Sequence, residues 1–125
     1  MQILLDTHLF IWWLNDDNQL SQKARDLIIN ADIVYVSSVS LWEAAIKIRL
    51  GKLDANIHEL IQAIGNEGFI ELPLLAKQTA KILALPAIHR DPFDRMLVAQ
   101  AMSEPLRLLT SDEILKQYTE LVEIV

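Results

Sequence analysis

Short, almost continuous apolar runs alternate along the chain with longer stretches in which apolar residues return every third or fourth position. The first pattern predicts buried strands and the second amphipathic helices. Residues 2–6 are apolar up to Asp6 and read as a strand. Thr7 is placed to cap a short, almost wholly apolar helix over 9–14, and Asn15-Asp16-Asp17-Asn18 forms a loop. Ser21 starts an amphipathic helix with Ala24, Leu27 and Ile28 on one face, and residues 33–36 form a second strand. A helix runs from Ser40 to about Leu50, with Gly51 in the C′ position that suits a glycine. Another spans 57–64 and ends at Gly65 or Gly68. A strand over 69–72 precedes a helix over 76–83, which Pro86 closes. Asp91-Pro92 opens a helix that turns Met96, Leu97 and residues 99–101 inward. A strand over 106–109, a short helix over 113–118 and a strand over 121–125 complete the chain.

Strands that alternate with helices, and are themselves near-continuously apolar, indicate an α/β fold: a mainly parallel sheet with helices on both faces. The 125 residues fit one domain over 1–125, and 52% hydrophobic content supplies its core. With no cysteine there are neither disulfides nor thiolate metal sites. No leader-like basic start and no apolar run of about 20 residues is present, so the expectation is a cytoplasmic protein without membrane spans.

The formal charge of −6, from 17 acids and 11 bases, is a poor footprint for non-specific nucleic-acid binding. The placement of the acids changes that picture. In parallel α/β sheets, ligands bind beyond the carboxyl ends of the strands, and there the chain is repeatedly acidic. Asp6 ends the first strand, Glu43 follows the second, Asp91 and Asp94 open a helix, and Asp112 follows the strand over 106–109. Each has a local alternative as a helix cap. Asp6 can assist Thr7. Glu43 completes a Ser40-Leu41-Trp42-Glu43 capping box, Asp91 is an N-cap with Asp94 at N3, and Asp112 shares capping with Ser111. Together they are harder to explain that way. Converging carboxylates repel and raise one another's pKa unless hard cations such as Mg2+ or Mn2+, which favour oxygen ligands, offset them.

The chain resembles the PIN-domain family, and within it the VapC-type toxins of bacterial toxin–antitoxin pairs. The matching segments are Leu4-Leu5-Asp6-Thr7-His8, Ser40-Leu41-Trp42-Glu43-Ala44-Ala45-Ile46-Lys47, Leu50-Gly51-Lys52-Leu53, the block from His89 through Asp91-Pro92-Phe93-Asp94-Arg95 to Ala101, and Leu109-Thr110-Ser111-Asp112. The resemblance implies a five-stranded parallel sheet in an α/β/α sandwich. It implies a metal site whose core acids are Asp6, Glu43 and Asp94, with Asp112 as the fourth. Thr110 matches a polar position beside Asp112, and Asp91 an additional acid of the subgroup.

The activity implied is Mg2+-dependent or Mn2+-dependent hydrolysis of RNA phosphodiester bonds. Lys47, Arg49, Lys52, Arg90 and Arg95 are candidate RNA contacts, with a solvated helix face or internal ion pairs as the alternative. Leu9-Phe10-Ile11-Trp12-Trp13-Leu14 is apolar on every side, so Trp12 and Trp13 are candidate interface anchors unless the helix over 57–64 covers them. The resemblance implies a homodimer silenced by an antitoxin that places a basic side chain in the acidic pocket. Two other readings stay open: a metal-binding interaction module that cleaves nothing, and a receiver-type signalling domain. The second lacks paired acids after the first strand and a late Lys-Pro. A ribonuclease built on His8 and His89 is a weaker idea still.

Overall fold

The computed structural model describes all 125 residues. The strands are β1 (Gln2–Leu5), β2 (Ile33–Ser37), β3 (Ile70–Leu72), β4 (Arg107–Thr110) and β5 (Val122–Ile124). The helices are α1 (Thr7–Leu14), α2 (Gln22–Asn30), α3 (Ser38–Arg49), α4 (Ile57–Asn66), α5 (Ala76–Ala80) and α6 (Pro92–Ser103). The strands form one sheet in the order β3-β2-β1-β4-β5, every pair parallel.

Alternation along β1 shows how the layers arise. Ile3 and Leu5 belong to a core shared with Leu9 and Phe10 of α1, Ala24 and Ile28 of α2, and Leu60 and Ile64 of α4. Leu4, between them, packs on the opposite face with Leu97, Val98 and Ala101 of α6. Successive side chains of a strand point to opposite faces, so an apolar strand needs a helical layer on each side. The expected three-layer α/β/α arrangement follows.

The strand order also locates the active edge. The chain leaves β1 for β2 on one side, and later crosses back from β3 to β4 on the other. The switch point therefore lies between β1 and β4, where departing loops diverge and leave a crevice. Asp6 follows β1, and Ser111 and Asp112 follow β4.

Several boundaries differ from the sequence reading for local reasons. The N-cap of α1 is Asp6, whose Oδ1 accepts from the Leu9 amide at 2.8 Å. Thr7 is already helical, and its hydroxyl donates to Ser40 Oγ at 2.9 Å. Helix α3 starts at Ser38 with Ser37 as its cap, so the Ser40–Glu43 capping box does not form. The helix expected over 76–83 is α5 followed by a 3-10 turn over Lys81–Ala84, and the short helix over 113–118 is a 3-10 turn over Glu113–Gln117. Gly51 and Gly68 take positive φ directly after the C-caps of α3 and α4, where only glycine is free of strain; Gly65 lies inside α4. A buried amide network was not foreseen: Ser37 donates to Gln100 Oε1 at 2.5 Å, and Gln100 Nε2 donates to Gln78 Oε1 at 3.1 Å. It joins β2, α6 and α5 through polar groups that sequence hydropathy assigns to the surface.

Candidate metal centre

Asp6 is 4% exposed and uses both oxygens: Oδ1 caps α1, and Oδ2 accepts from the Thr110 hydroxyl at 2.6 Å. Thr110 Oγ1 accepts in turn from the Asp112 amide at 3.1 Å, which ties the end of β4 to the end of β1. Asp112 is the cap of the 3-10 turn through Oδ1 (Ile114 amide, 3.0 Å), so the cap there is Asp112 and not Ser111. Its Oδ2 lies 2.8 Å from His89 Nε2, and Asp94 Oδ2 lies 3.7 Å from the same nitrogen. His89, Asp94 and Asp112 thus present ligand-type atoms all within 4.8 Å of one another.

The state of His89 follows from its other nitrogen. Nδ1 accepts from the Asp91 amide at 3.0 Å, so the ring proton sits on Nε2 and is donated to Asp112. Asp91 is the α6 cap, accepting through Oδ1 from the Phe93 and Asp94 amides at 2.8 and 3.4 Å. It stands beside the cluster and acts on it by its charge.

Glu43 is the acid whose local explanation disappears. Without the capping box it sits in the second turn of α3, 2% exposed. Oε2 pairs with Lys47 Nζ at 2.7 Å, while Oε1 is buried with no hydrogen-bond partner. A buried carboxylate oxygen without a partner is costly, and its neighbours are also acids. Burial pushes the Asp6 carboxyl above its ordinary range, and nearby Glu43 adds to this, against the hydrogen bonds from Thr110 and Leu9. Burial, then the charges of Asp91, Asp6 and Glu43, push Asp94 up to about 7, opposed by His89. Asp6, Asp94 and Asp112 line a cavity of about 250 Å3 together with His8, Trp12 and Ser111; Glu43 is not among its lining residues but is near enough for its charge to raise both Asp6 and Asp94. The donors are carboxylate oxygens, one of them orphaned, and that set fits a hard divalent cation.

The basic residues divide. Arg95 donates to the Pro86 and His89 carbonyls and holds the loop before α6. Arg49 and Arg90 are exposed and unpaired, while Lys47 and Lys52 share a recess beside the acids. Trp13 is turned inward, its ring 5.9 Å from Phe69 and its Nε1 donating to Glu67 at 3.0 Å. Trp12 faces the groove. Sequence reasoning passed over two features. His89 enters the sequence reading only as a metal-free nuclease candidate, although His-x-Asp spacing allows its Nδ1 contact; its partner Asp112 lies 23 residues away and is found only in three dimensions. Trp42 is 59% exposed, stacked edge-on against Phe93 at 5.0 Å.

An all-parallel sheet in this order, with carboxylates gathered at its switch point, defines a PIN domain, and the PIN-domain family model matches residues 3–121: the chain belongs to that family. Among curated proteins, it is 29% identical over 119 residues to "Ribonuclease VapC22" of Mycobacterium tuberculosis (strain ATCC 25618 / H37Rv), covering 93% of this chain and 91% of that protein. Among solved structures, it is similar to VapBC2 from Rickettsia felis bound to a DNA fragment from its promoter (TM-score 0.74, 17% identity, 99% and 98% of the two chains). It is also similar to DNA-bound VapBC from Salmonella typhimurium (TM-score 0.69, 16% identity, 100% and 97%). At such identities the structural likeness speaks for the fold. No helix is long and apolar enough to cross a membrane.

Proposed function

We propose that this protein is a Mg2+-dependent endoribonuclease, the toxin of a toxin–antitoxin pair, with Asp6, Glu43, Asp94 and Asp112 holding the metal. The observation that carries this reading is the orphaned Glu43 Oε1, buried among carboxylates whose pKa values are raised. Family membership and the likeness to a named ribonuclease support it. Bound there, Mg2+ or Mn2+ supplies Lewis-acid activation of water and charge neutralisation at the phosphate.

The chain's own residues prepare the site. Thr110 and the Leu9 amide fix the Asp6 carboxylate at the switch point. Lys47 holds one oxygen of Glu43 and leaves the other as a free donor. His89 Nε2 lies 2.8 Å from Asp112 Oδ2 and 3.7 Å from Asp94 Oδ2 and holds the two acids side by side. Asp91 fixes the start of α6, and with it Asp94.

Attack by water on the phosphorus with loss of the 3′ oxygen leaves a 5′-phosphate and a 3′-hydroxyl. RNA ends generated by the purified protein in Mg2+ are therefore expected to ligate without kinase treatment. Cyclic phosphate ends, or cleavage that persists in chelator, would point instead to His8 and His89. Purified protein that binds Mn2+ but turns over no RNA would leave the non-catalytic module standing.

The proposed partners are an antitoxin and a second copy of the chain. The antitoxin reading rests on the likeness to VapC22 and to the VapBC assemblies. The dimer reading is supported by α3 and its C-cap, where Trp42, Ile46 and the cap residue Leu50 form an exposed stripe at four-residue spacing. Ile46→Glu puts a charge on that stripe without disturbing the core. Light scattering is expected to fall from two chains to the 14.2 kDa of one. An unchanged mass places the dimer contact elsewhere.

A further inference from the structure

Two of the proposed metal acids stand on helices that pack against each other: Glu43 in the second turn of α3 and Asp94 in the first turn of α6. Their separation depends on the angle at which those helices meet. Two contacts between side chains set that angle. Beside the acids, Trp42 meets Phe93 edge-on at 5.0 Å, but Trp42 is largely exposed and is held from one side only. Where β2 passes into α3, Ser37 donates to Gln100 Oε1 at 2.5 Å. A single contact leaves a pivot; a second, placed along the helices from the first, removes it.

The orientation of Gln100 is dictated from its far end. Gln78 Oε1 accepts from the Leu75 amide at 2.8 Å, and Gln78 Nε2 donates at 2.9 Å to Glu104, a carboxylate that only accepts. The Gln78 oxygen therefore faces Gln100, whose Nε2 donates to it at 3.1 Å. That leaves Gln100 Oε1 for Ser37, whose hydroxyl donates to it and accepts from the Val39 amide at 3.0 Å, capping α3. Reversing either amide would set two donors or two acceptors face to face. Ser37, Gln78 and Gln100 are all fully buried. A buried network satisfied at each step holds one geometry, where apolar side chains would repack.

We propose that Gln100 is a positioning residue of the metal centre: through Ser37 it locks α3 against α6 and so sets the distance between the Glu43 and Asp94 carboxylates. This rests on the metal-dependent reading above and adds to it a residue outside the acidic cavity. The competing role is support of the fold alone, and the two roles differ in what a substitution changes. Support of the fold appears in stability. Positioning appears in metal affinity as well, because ligands held slightly out of place bind a cation less tightly.

The test measures Mn2+ affinity by calorimetry on metal-stripped protein, without RNA, beside thermal melts in chelator. Gln100→Leu keeps the cap on α3 and removes the bond across to α6. Val122→Ala opens the same core from β5 and leaves the network intact. Both variants are expected to melt below wild type, but only Gln100→Leu to bind Mn2+ about 10-fold or more weakly. Gln78→Leu keeps the Ser37 bond and frees the Gln100 nitrogen, and is expected to show a smaller loss of affinity; it decides the question if Gln100→Leu does not fold. Wild-type affinity in Gln100→Leu, or in Gln78→Leu where that variant decides, overturns the proposal. So does an equal loss in Val122→Ala for the same fall in Tm. In those cases wild-type protein that binds Mn2+ and cleaves RNA leaves the metal-dependent reading standing. Wild-type protein that binds no Mn2+ overturns that reading and the role of Gln100 with it.

Discussion

Asp94→Asn is expected to abolish RNA cleavage while making the metal-free protein more stable at alkaline pH. The activity loss, on the order of 10^3-fold, follows from removing a charged oxygen donor from the proposed metal site. The stability gain follows from the carboxyl's position. Its ordinary value is 3.8, and burial with three neighbouring acids lifts it to about 7 in the fold. A carboxyl raised on folding favours the folded state in its protonated form. That contribution is complete below about pH 4, declines as the pH rises, and is gone above about 7. Wild-type protein at pH 8 therefore carries a strained anion that Asn lacks, whereas at pH 5 the two side chains are both largely neutral. The side chain is 18% exposed, which screens part of the effect. We expect a difference of about 1–2 kcal/mol, or roughly 4–8 °C in Tm, at pH 8 in chelator, and roughly a third of that at pH 5, where the unfolded carboxyl is already ionised. Thermal melts of both proteins at the two pH values measure it. Equal melting at pH 8, or wild-type cleavage by the variant, would refute this placement of Asp94.

Saturating Mg2+ or Mn2+ is expected to raise the Tm of the wild-type protein markedly, and Glu43→Gln to remove most of that rise. Four carboxylates brought near one sheet edge repel one another, so a cation bound among them would link binding to folding. A ligand at about 100 times its Kd adds about 2.7 kcal/mol, which corresponds to roughly 10 °C in a chain of this size. Glu43 is the discriminating position because its Oε1 has no other partner. Gln retains the size, loses the charge, and also frees Lys47 from its 2.7 Å ion pair. If Glu43→Gln shifts with metal as wild type does, the cation binds without Glu43. Asp6, Asp94 and Asp112, which line one cavity, would then hold it.

The hydrophobic pattern was enough to establish the alternation of strands and helices, the parallel sheet with two covered faces, and the acids lying just past strand ends. Those properties are local: a strand buried on both faces must be apolar throughout, and strand ends are read from where the apolar run stops. Caps were less legible. Thr7 and Asp6, or Ser37 and Ser40, are equally good capping residues, and only the direction in which the chain leaves the sheet chooses Asp6 and Ser37. That choice decided the chemistry of Glu43, since one turn of helix separates a satisfied cap from an orphaned buried oxygen. The strand order 3-2-1-4-5 was likewise beyond a linear reading, yet it sets Asp6 beside Thr110 across 104 residues and His89 beside Asp112 across 23. Trp12 and Trp13 look alike in the sequence, but a helix turns adjacent residues about 100° apart. One therefore packs on Phe69 and the other faces the groove. Which residues are acidic, aromatic or basic is written in the chain; which of them share a cavity is decided by long-range packing, because contacts between distant elements depend on sheet order and helix rotation and leave no periodic trace along the sequence.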